Sequence, residues 1–283
     1  MRIIKRKKGK KEYFYLQHSA REKGKVITKE KYLGKIIPKD ISKIINTFKK
    51  EFKGQDIDAK LEKIKKGFQK EWKKLPESAK EKQLQEISIA FTYNTNAVEG
   101  STITLDETRE ITKGISPNKP TRDIKETEAH NQIFLEMLKN KEKLTIKLIL
   151  FWHNEIFKQT KQDIAGKFRK YFVTIAGHIA PDYRKINQLM KNMIKYTKQK
   201  NKHNPVELTA RTHYRFEKIH PFGDGNGRIG RLLMNYMLWY NGCPMLIIEY
   251  KKRKAYYKAL RKDEDKFTTY FLRKYLAIHK RYL

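Results

Sequence analysis

Apolar residues recur at intervals of three and four through most of the chain, which is the pattern of amphipathic helices. Ile41, Ile44, Ile45 and Phe48 follow this spacing, and the pattern resumes at Leu61 after a polar break at 56–58. Further helices are predicted over 78–98, from 104 onward, and over 122–138, 145–157, 183–200, 205–219, 227–240 and 251–279. The pattern therefore predicts a mainly α fold.

Local signals mark the boundary between two of these helices. Gly100 follows the pattern over 78–98 and is a typical helix stop, because glycine adopts the left-handed conformation without strain. Thr104 and Glu107 stand three residues apart at the start of the next pattern, as in a capping box. One helix is therefore expected to end at Gly100 and the next to begin at Thr104.

Two segments carry the β-branched and aromatic residues that are typical of strands. Residues 12–17 and 25–33 flank a polar turn at Gly24 and predict a basic N-terminal β-hairpin. Residues 171–180 predict a short second hairpin that turns at Gly177. Because an isolated two-stranded hairpin is only marginally stable, the second one must pack on the helices or await a partner strand.

The chain is strongly basic, with 65 Lys and Arg against 31 Asp and Glu and a formal net charge of +34. Such a field attracts anions, including ATP, nucleic acid, acidic proteins and anionic lipid surfaces. Lysine far outnumbers arginine, which favours a solvated surface over direct reading of bases. Nucleic-acid binding therefore stays open as an alternative to a simple solubilising role.

The remaining composition argues for an intracellular protein that needs no disulfide. The single cysteine, Cys243, has no partner within the chain and is expected to be a packed thiol. No window approaches the roughly 20 apolar residues of a membrane-spanning helix, and residues 1–11 lack the apolar stretch of a signal peptide. A cytoplasmic location is expected.

The densest chemical information lies between two predicted helices, in the segment HPFGDGNGRIGR from His220 to Arg231. Its glycines at 225 and 227 let the backbone approach a ligand closely, so that N–H groups at the next helix start converge on an anion. Asp224 adds a hard oxygen ligand of the kind that holds Mg²⁺ together with substrate phosphates. The segment therefore predicts a phosphate-binding site.

Charged and titratable side chains complete this site. Arg228 and Arg231 are three residues apart and share one helix face, from which both can reach along a polyphosphate. His220 precedes the loop and can act as a general base near neutral pH. The combination supplies a base, a cation ligand and anion-binding groups within twelve residues.

This segment matches, position for position, the signature of the Fic (filamentation induced by cAMP) family: His, any residue, Phe, any residue, Asp or Glu, Gly, Asn, Gly, Arg, any two residues, Arg. The resemblance implies a Fic-type helical core with a β-hairpin flap. It also implies a protein adenylyltransferase, which moves AMP from ATP to a Ser, Thr or Tyr hydroxyl of a target protein. Glycine at 227, where a toxin branch that transfers phosphate has lysine, favours nucleotide transfer.

The resemblance assigns a part to each motif residue, with ATP as co-substrate and Mg²⁺ as cofactor. His220 would take the proton from the target hydroxyl as it attacks the α-phosphate, and Asp224 would bind Mg²⁺ between the α- and β-phosphates. Gly225, Asn226 and Gly227 would form the anion hole for these phosphates. These roles agree with phosphoryl-type transfer, which depends on positioning and charge stabilisation.

The two arginines and a second motif extend the resemblance to regulation. Arg228 would neutralise the leaving pyrophosphate and Arg231 would bind the γ-phosphate. Thr95, Glu99 and Gly100 fit the family's inhibitory pattern of Ser or Thr, three residues, Glu, then Gly or Asn. Its position before the core resembles the branch with an N-terminal inhibitory helix, in which Glu99 would pair with Arg231 and deny it to ATP.

The hairpin over 171–180 also fits the family. It follows residues 166–169 (GKFR), which resemble the stretch that leads into the flap. The flap would hold an extended target segment by strand pairing, with Tyr171, Val173, Ile175 and Gly177 as docking residues.

The expected organisation has four parts: a basic β-hairpin extension at 1–36, N-terminal helices at 37–79, a Fic-like catalytic domain at 80–261 with its inhibitory helix at 82–99, and a C-terminal helix at 262–283. Removal of AMP from a modified protein by the same site is one alternative function. Another is a nucleic-acid-binding protein whose Fic-like core acts as a sensor. Self-modification and a homodimer stay open.

Overall fold

The computed structural model describes the whole chain except residues 23–24, 140–141, 176–177 and 200–202, and except the side chains at 20–22, 25, 27, 46, 49–55 and 178. The described residues group into two compact units, Met1–Lys60 and Leu61–Leu283. The predicted mainly α fold is confirmed, with strands confined to two small sheets. The four domain boundaries expected from the sequence stay predictions.

The first unit begins with a three-stranded antiparallel sheet, so the predicted two-stranded hairpin was incomplete. Its strands are β1 (Arg2–Lys8), β2 (Lys11–Glu22) and β3 (Lys25–Gly34), in the order β1-β2-β3. Strand β1 was missed because its basic run obscures the alternation, whereas pairing with β2 supplies its backbone hydrogen bonds. The turn expected at Gly24 lies outside the described residues.

Helix α1 spans Ile41–Lys74 without interruption, so the predicted break at 56–58 was wrong. Polar residues weaken a helix only slightly when they lie on its solvent-facing side. Lys60 lies one turn after Asp56 and forms an ion pair with it at 2.6 Å, which supports the helix at the expected break.

The second unit continues with helices joined by short connections. They are α2 (Glu77–Val98), α3 (Leu105–Ile111), α4 (Thr121–Lys139), α5 (Ile146–Phe157), α6 (Ile186–Thr197), α7 (Pro205–Ile219), α8 (Asn226–Tyr240), α9 (Arg253–Leu260) and α10 (Glu264–Ile278). The single helix predicted over 251–279 is therefore two helices. Asp263 separates them because its side chain caps the start of α10 by accepting from the Lys266 N–H.

Helix α8 lies at the centre of the second unit and contacts α2, α4, α5 and α7. Ile229, Leu232, Leu233 and Leu238 on this helix are fully buried. Cys243, just beyond α8, is buried as expected, and burial raises the pKa of its thiol to about 11. The N-terminus of α8, which carries the predicted phosphate loop, is therefore fixed by a helix held on several sides.

Among the described residues, no helix is both long enough and apolar enough to cross a membrane.

Candidate active site

The loop between α7 and α8 has an unusual backbone at both ends. His220 ends α7 in the left-handed region with φ +50°, and Gly225 precedes α8 with φ +76°. A Cβ at Gly225 would lie 2.4 Å from the ring of Phe157, so neither the dihedral nor the space admits another residue. The loop is therefore held in one tight conformation.

Two side chains inside the loop maintain this conformation. The Asn226 amide donates to the Phe222 carbonyl and its Oδ1 accepts from the Phe222 N–H, both at 2.9 Å. Phe222 is fully buried, and His153 of α5 stacks on its ring with centroids 3.8 Å apart. Because its side chain is used in this way, Asn226 offers an anion its backbone N–H and not its amide group.

Arg169 fixes the backbone of the loop from the other side. Its buried guanidinium donates to the carbonyl oxygens of His220 at 2.8 Å, Tyr171 at 2.8 Å and Pro181 at 2.7 Å. It thereby ties the strained residue His220 to both ends of the segment that contains the hairpin. The sequence placed Arg169 only in the stretch before the flap. Its bond to the His220 carbonyl spans 51 positions and has no local sequence signal.

A hydrogen bond to the last turn of α7 sets the tautomer of the His220 ring. Its Nδ1 lies 3.3 Å from the Glu217 carbonyl oxygen, which can only accept, so Nδ1 carries the proton. Nε2 is then left with a lone pair. Burial lowers the pKa of His220 below its ordinary value, although the hydrogen bond to Glu217 works in the opposite direction. The ring is therefore neutral and basic at pH 7.

The end of α2 places two residues on a single guanidinium. Arg231 is 1% exposed, and its Nε donates to Thr95 Oγ1 at 2.6 Å while Nη2 donates to Glu99 Oε1 at 2.7 Å. Helix α2 ends in a Schellman motif in which Gly100, at φ +93°, donates to the Ala97 carbonyl. The predicted helix stop is thus confirmed, and it sets the position from which Glu99 reaches Arg231.

The Glu99 carboxylate also lies against the first turn of α8. A Cβ placed on Gly227 would come within 2.2 Å of Glu99 Oε1. Helix N-termini attract anions through their unpaired N–H groups and the helix dipole. Glu99 is therefore an intramolecular anion at the place where the sequence predicts phosphates.

Asp224 and Arg228 belong to a second charged cluster, centred on Glu126 of α4. The buried Glu126 carboxylate pairs with Arg228 and lies 3.1 Å from Lys161 Nζ, which in turn is 2.6 Å from Asp224 Oδ2. Burial alone would raise the pKa of Glu126, but the charge and hydrogen bond of Arg228 outweigh it and lower the pKa. Sequence reasoning missed Glu126, because nothing local connects it to residue 228.

Asp224 fits the donor set expected for Mg²⁺, which takes one or two carboxylates and completes its shell with water and substrate phosphates. Its side chain is half exposed, so one face is open to a ligand, while Lys161 Nζ would have to give way at Oδ2. The described residues contain no group of three or more His, Cys, Asp and Glu placed to hold a metal ion. Water and substrate phosphates would complete the shell of an ion at Asp224.

A cavity of about 370 Å³ lies between His220 and Arg231. Its wall includes these two residues, Glu99, Gly227 and the hairpin residue Ile175. The hairpin strands are β4 (Thr174–Ile175) and β5 (His178–Ile179). The cavity thus links the predicted catalytic residue, phosphate site and inhibitory glutamate.

The chain resembles known proteins in sequence and in fold. The model of the Fic/DOC family matches residues 143–238. Protein adenylyltransferase Fic of Nematostella vectensis is 32% identical over 188 residues, which are 64% of this chain and 44% of that protein. A Fic domain containing signaling protein from Bacteroides thetaiotaomicron superposes with a TM-score of 0.68 at 26% identity, covering 79% of this chain and 95% of the other. Fic-1 from C. elegans superposes with a TM-score of 0.69 at 26% identity, covering 87% and 77% of the two chains.

The chain contains a Fic/DOC family domain at residues 143–238. It spans less than half the length of the curated relatives that it matches. The matched residues of the Fic domain, 143–238, include the complete motif from His220 to Arg231 but not Glu99 or Glu126.

One further carboxylate in the Fic domain lacks an obvious partner. Glu217 lines the cavity, and its Oε1 makes no hydrogen bond among the described residues. Burial raises its pKa to about 7, while the nearby charge of Arg231 partly opposes this shift. Sequence reasoning did not single out Glu217, because one turn before His220 it reads as an ordinary polar helix residue.

Proposed function

We propose that the chain is an ATP-dependent protein adenylyltransferase that Glu99 holds inactive. The observation that carries this proposal is that the His220 ring and the Glu99–Arg231 pair line one cavity at the N-terminus of α8. A base, an anion-binding helix start and a buried cation are the groups that nucleotidyl transfer to a hydroxyl requires.

In the proposed reaction, the oxygen of a target Ser, Thr or Tyr hydroxyl attacks the α-phosphorus of ATP. Nε2 of His220 accepts the hydroxyl proton, and the Nδ1–H bond to the Glu217 carbonyl stabilises the resulting imidazolium. A P–O bond forms to the target, the bond between the α-phosphorus and the bridging oxygen breaks, and pyrophosphate leaves with the electron pair. The products are AMP-modified protein and pyrophosphate.

The first turn of α8 would bind the phosphates. The backbone N–H groups at 226 and 227 would face the anion, and the Gly225 N–H, which donates to Asp224 Oδ1 at 2.6 Å, would have to exchange that partner to join them. Arg228 and Arg231 follow along the same helix face. Asp224 would hold Mg²⁺, which when bound neutralises charge on the phosphates. Arg228 is already oriented by its ion pair with Glu126, so it needs little rearrangement to meet a phosphate.

Glu99 would act as the brake by competing with ATP for two sites at once. Its carboxylate neutralises Arg231 and occupies the space beside Gly227, so a γ-phosphate cannot reach either. This arrangement supports assignment to the branch with an N-terminal inhibitory helix, because Thr95 holds Arg231 beside Glu99 and Gly100 ends the helix.

The hairpin is the proposed docking site for the target. Tyr171 is 48% exposed, and Ile175 lines the same cavity as His220. The Val173 carbonyl accepts from the Ala180 N–H, which closes the base of the hairpin. An extended target segment would add to a strand edge here and bring its hydroxyl to His220; Gly177 lies outside the described residues.

The reverse reaction, removal of AMP from a modified protein, is a second candidate. It is favoured by the shared position of Glu99 and His220 on one cavity, where a carboxylate can orient a water molecule. Self-modification, a homodimer and a cytoplasmic location stay predictions.

The proposal is tested by comparing Glu99→Ala with wild type in an incubation with Mg²⁺ and ATP labelled at the α-phosphate. Glu86→Ala is the matched control, because Glu86 is also a carboxylate of α2 but pairs with Arg109 at 2.8 Å, away from the motif. Label should appear on protein with Glu99→Ala and should not increase with Glu86→Ala. Adding His220→Ala to Glu99→Ala should abolish it. If the Glu99 variant stays unlabelled but wild type releases AMP from a modified protein, the reverse reaction is supported instead.

A further inference from the structure

The N-terminal sheet presents tyrosine and arginine side chains on a single face. In an antiparallel sheet, alternate residues point to the same side and directly paired residues share that side. Tyr15 pairs with Tyr32 on β3, and Tyr13 pairs with Arg6 on β1, four residues along from Arg2 and therefore on the same side. We call these residues, Arg2, Arg6, Tyr13, Tyr15 and Tyr32, the tyrosine face.

The opposite side of the sheet differs in character. Leu16, which follows Tyr15 on β2, is 1% exposed and therefore packed against protein. Lys5 and Lys7 point to this side of β1, and both form ion pairs with Glu12. One side of the sheet thus carries the buried Leu16 and the ion pairs of Glu12, and the other side carries the aromatic rings.

The three tyrosines form a contiguous aromatic surface. The ring centroid of Tyr32 lies 5.3 Å from that of Tyr15 and 6.2 Å from that of Tyr13, and Tyr32 is 55% exposed. The Arg6 guanidinium lies over the Tyr15 ring, 5.2 Å from its centroid. Neighbouring rings with an arginine alongside can accept a flat, electron-rich group by stacking.

The charge of this segment favours a polyanion. Counted along the sequence, residues 1–34 contain twelve Lys and Arg and three Asp and Glu. Arg6 is paired with Glu30, but one carboxylate leaves most of the excess uncompensated. A basic surface that borders a row of aromatic rings is the combination that proteins use to bind single-stranded nucleic acid.

We propose that the tyrosine face binds single-stranded nucleic acid, with bases stacked on the tyrosines and phosphates held by Arg2, Arg6 and the basic β1–β2 turn. Unpaired bases are required because a duplex shields their faces from stacking. This activity goes beyond the proposed enzymatic function and does not depend on it.

The test measures binding of the full chain to a fluorescent single-stranded oligonucleotide of about 16 nucleotides by anisotropy, as DNA and as RNA, at several salt concentrations. Tyr32→Ala should weaken binding about tenfold, since one stacked base is lost. Tyr32→Phe keeps the ring and should bind like wild type. Because Tyr32 is exposed, the folded state should tolerate both changes, which circular dichroism would check.

Charge is tested with a matched pair on the same strand. Arg6→Gln should reduce the slope of log K against log salt by about 0.7, the value for one phosphate contact on a single strand. Lys7→Gln removes an equal charge from the opposite side of β1 and should leave that contact intact. Equal effects of the two substitutions would show a diffuse attraction and overturn the assignment of the face.

Two further outcomes would overturn the proposal. One is binding that Tyr32→Ala leaves unchanged and that heparin, a polyanion without bases, competes away as well as an oligonucleotide does. The other is duplex DNA, or vesicles of anionic lipid, binding more tightly than the single strand. Unchanged α-phosphate labelling in the Glu99→Ala background when Tyr32→Ala is added would show that the two activities are separate.

Discussion

Replacement of Thr95 by valine should partly release the proposed brake. Thr95 and Glu99 are one helical turn apart on α2, and both hold the guanidinium of Arg231. Valine has nearly the same shape as threonine but lacks Oγ1. The substitution therefore removes one of the two side-chain contacts that keep Arg231 against α2 and leaves the Glu99 carboxylate in place.

The size of the effect follows from the contact that is lost. A hydrogen bond between a hydroxyl and a charged group contributes about 1.5–3 kcal/mol when both are buried, and Arg231 is 1% exposed. Each 1.4 kcal/mol is a tenfold change in an equilibrium, so the open arrangement should gain roughly 10- to 100-fold in population. The bond of Arg231 to the Thr95 carbonyl at 3.0 Å remains, which keeps the gain below that of Glu99→Ala.

The assay is the initial rate of α-phosphate labelling, with Thr95→Ser as the control that keeps the hydroxyl. We expect labelling in the order wild type and Thr95→Ser, then Thr95→Val, then Glu99→Ala. Thermal unfolding must show that the valine variant is folded, since loss of the bond also costs stability. A folded Thr95→Val protein that is labelled no faster than Thr95→Ser would show that the Thr95 hydroxyl does not restrain Arg231.

Three other predictions follow from the same site. Arg169→Gln removes the donors that hold the His220 backbone. In the Glu99→Ala background, this substitution should lower the labelling rate roughly 10- to 100-fold, while the ATP affinity measured by calorimetry stays unchanged. A parallel loss of ATP affinity would contradict a positioning role for Arg169. Because burial lowers the pKa of His220, labelling should persist as the pH falls to the ordinary histidine value of about 6.5 and decline only below it; a midpoint at or above 6.5 would argue against a buried base. Burial raises the pKa of Glu217 from 4.5 to about 7, so the stability that this carboxyl contributes is present below pH 4.5 and is lost as the pH rises through 7. Between pH 4.5 and pH 8, the stability of Glu217→Gln relative to wild type, measured by denaturant titration, should therefore rise by about 1–3 kcal/mol. A difference that stays constant over this range would show that the carboxyl does not titrate there.

Local chemistry explains what could be predicted from the sequence. The stop at Gly100, the capping box at Thr104 and Glu107, and the helix over Pro205–Ile219 depend on neighbouring residues, and the structure confirms each. The pairing of Glu99 with Arg231, 132 positions apart, followed from the resemblance to the Fic family and not from periodicity.

Long-range contacts account for what was missed. Strand β1 forms because β2 pairs with it, and its basic run alone gives no strand signal. Glu126 meets Arg228 only after α4 has packed near α8, and Arg169 reaches the His220 carbonyl across 51 positions. The break expected at 56–58 was wrong because the polar residues there disfavour a helix only weakly. The long helix α1 continues through them.

We propose that this site transfers AMP and that Glu99 restrains the transfer. Both halves are tested by incubating Glu99→Ala protein with ATP labelled at the α-phosphate and, separately, with ATP labelled at the γ-phosphate, followed by mass analysis of the modified residue. We expect that label from the α-phosphate alone is retained, on a Ser, Thr or Tyr hydroxyl, and that adding His220→Ala removes it. Retention of the γ-phosphate label, or equal labelling with His220→Ala, would contradict this proposal.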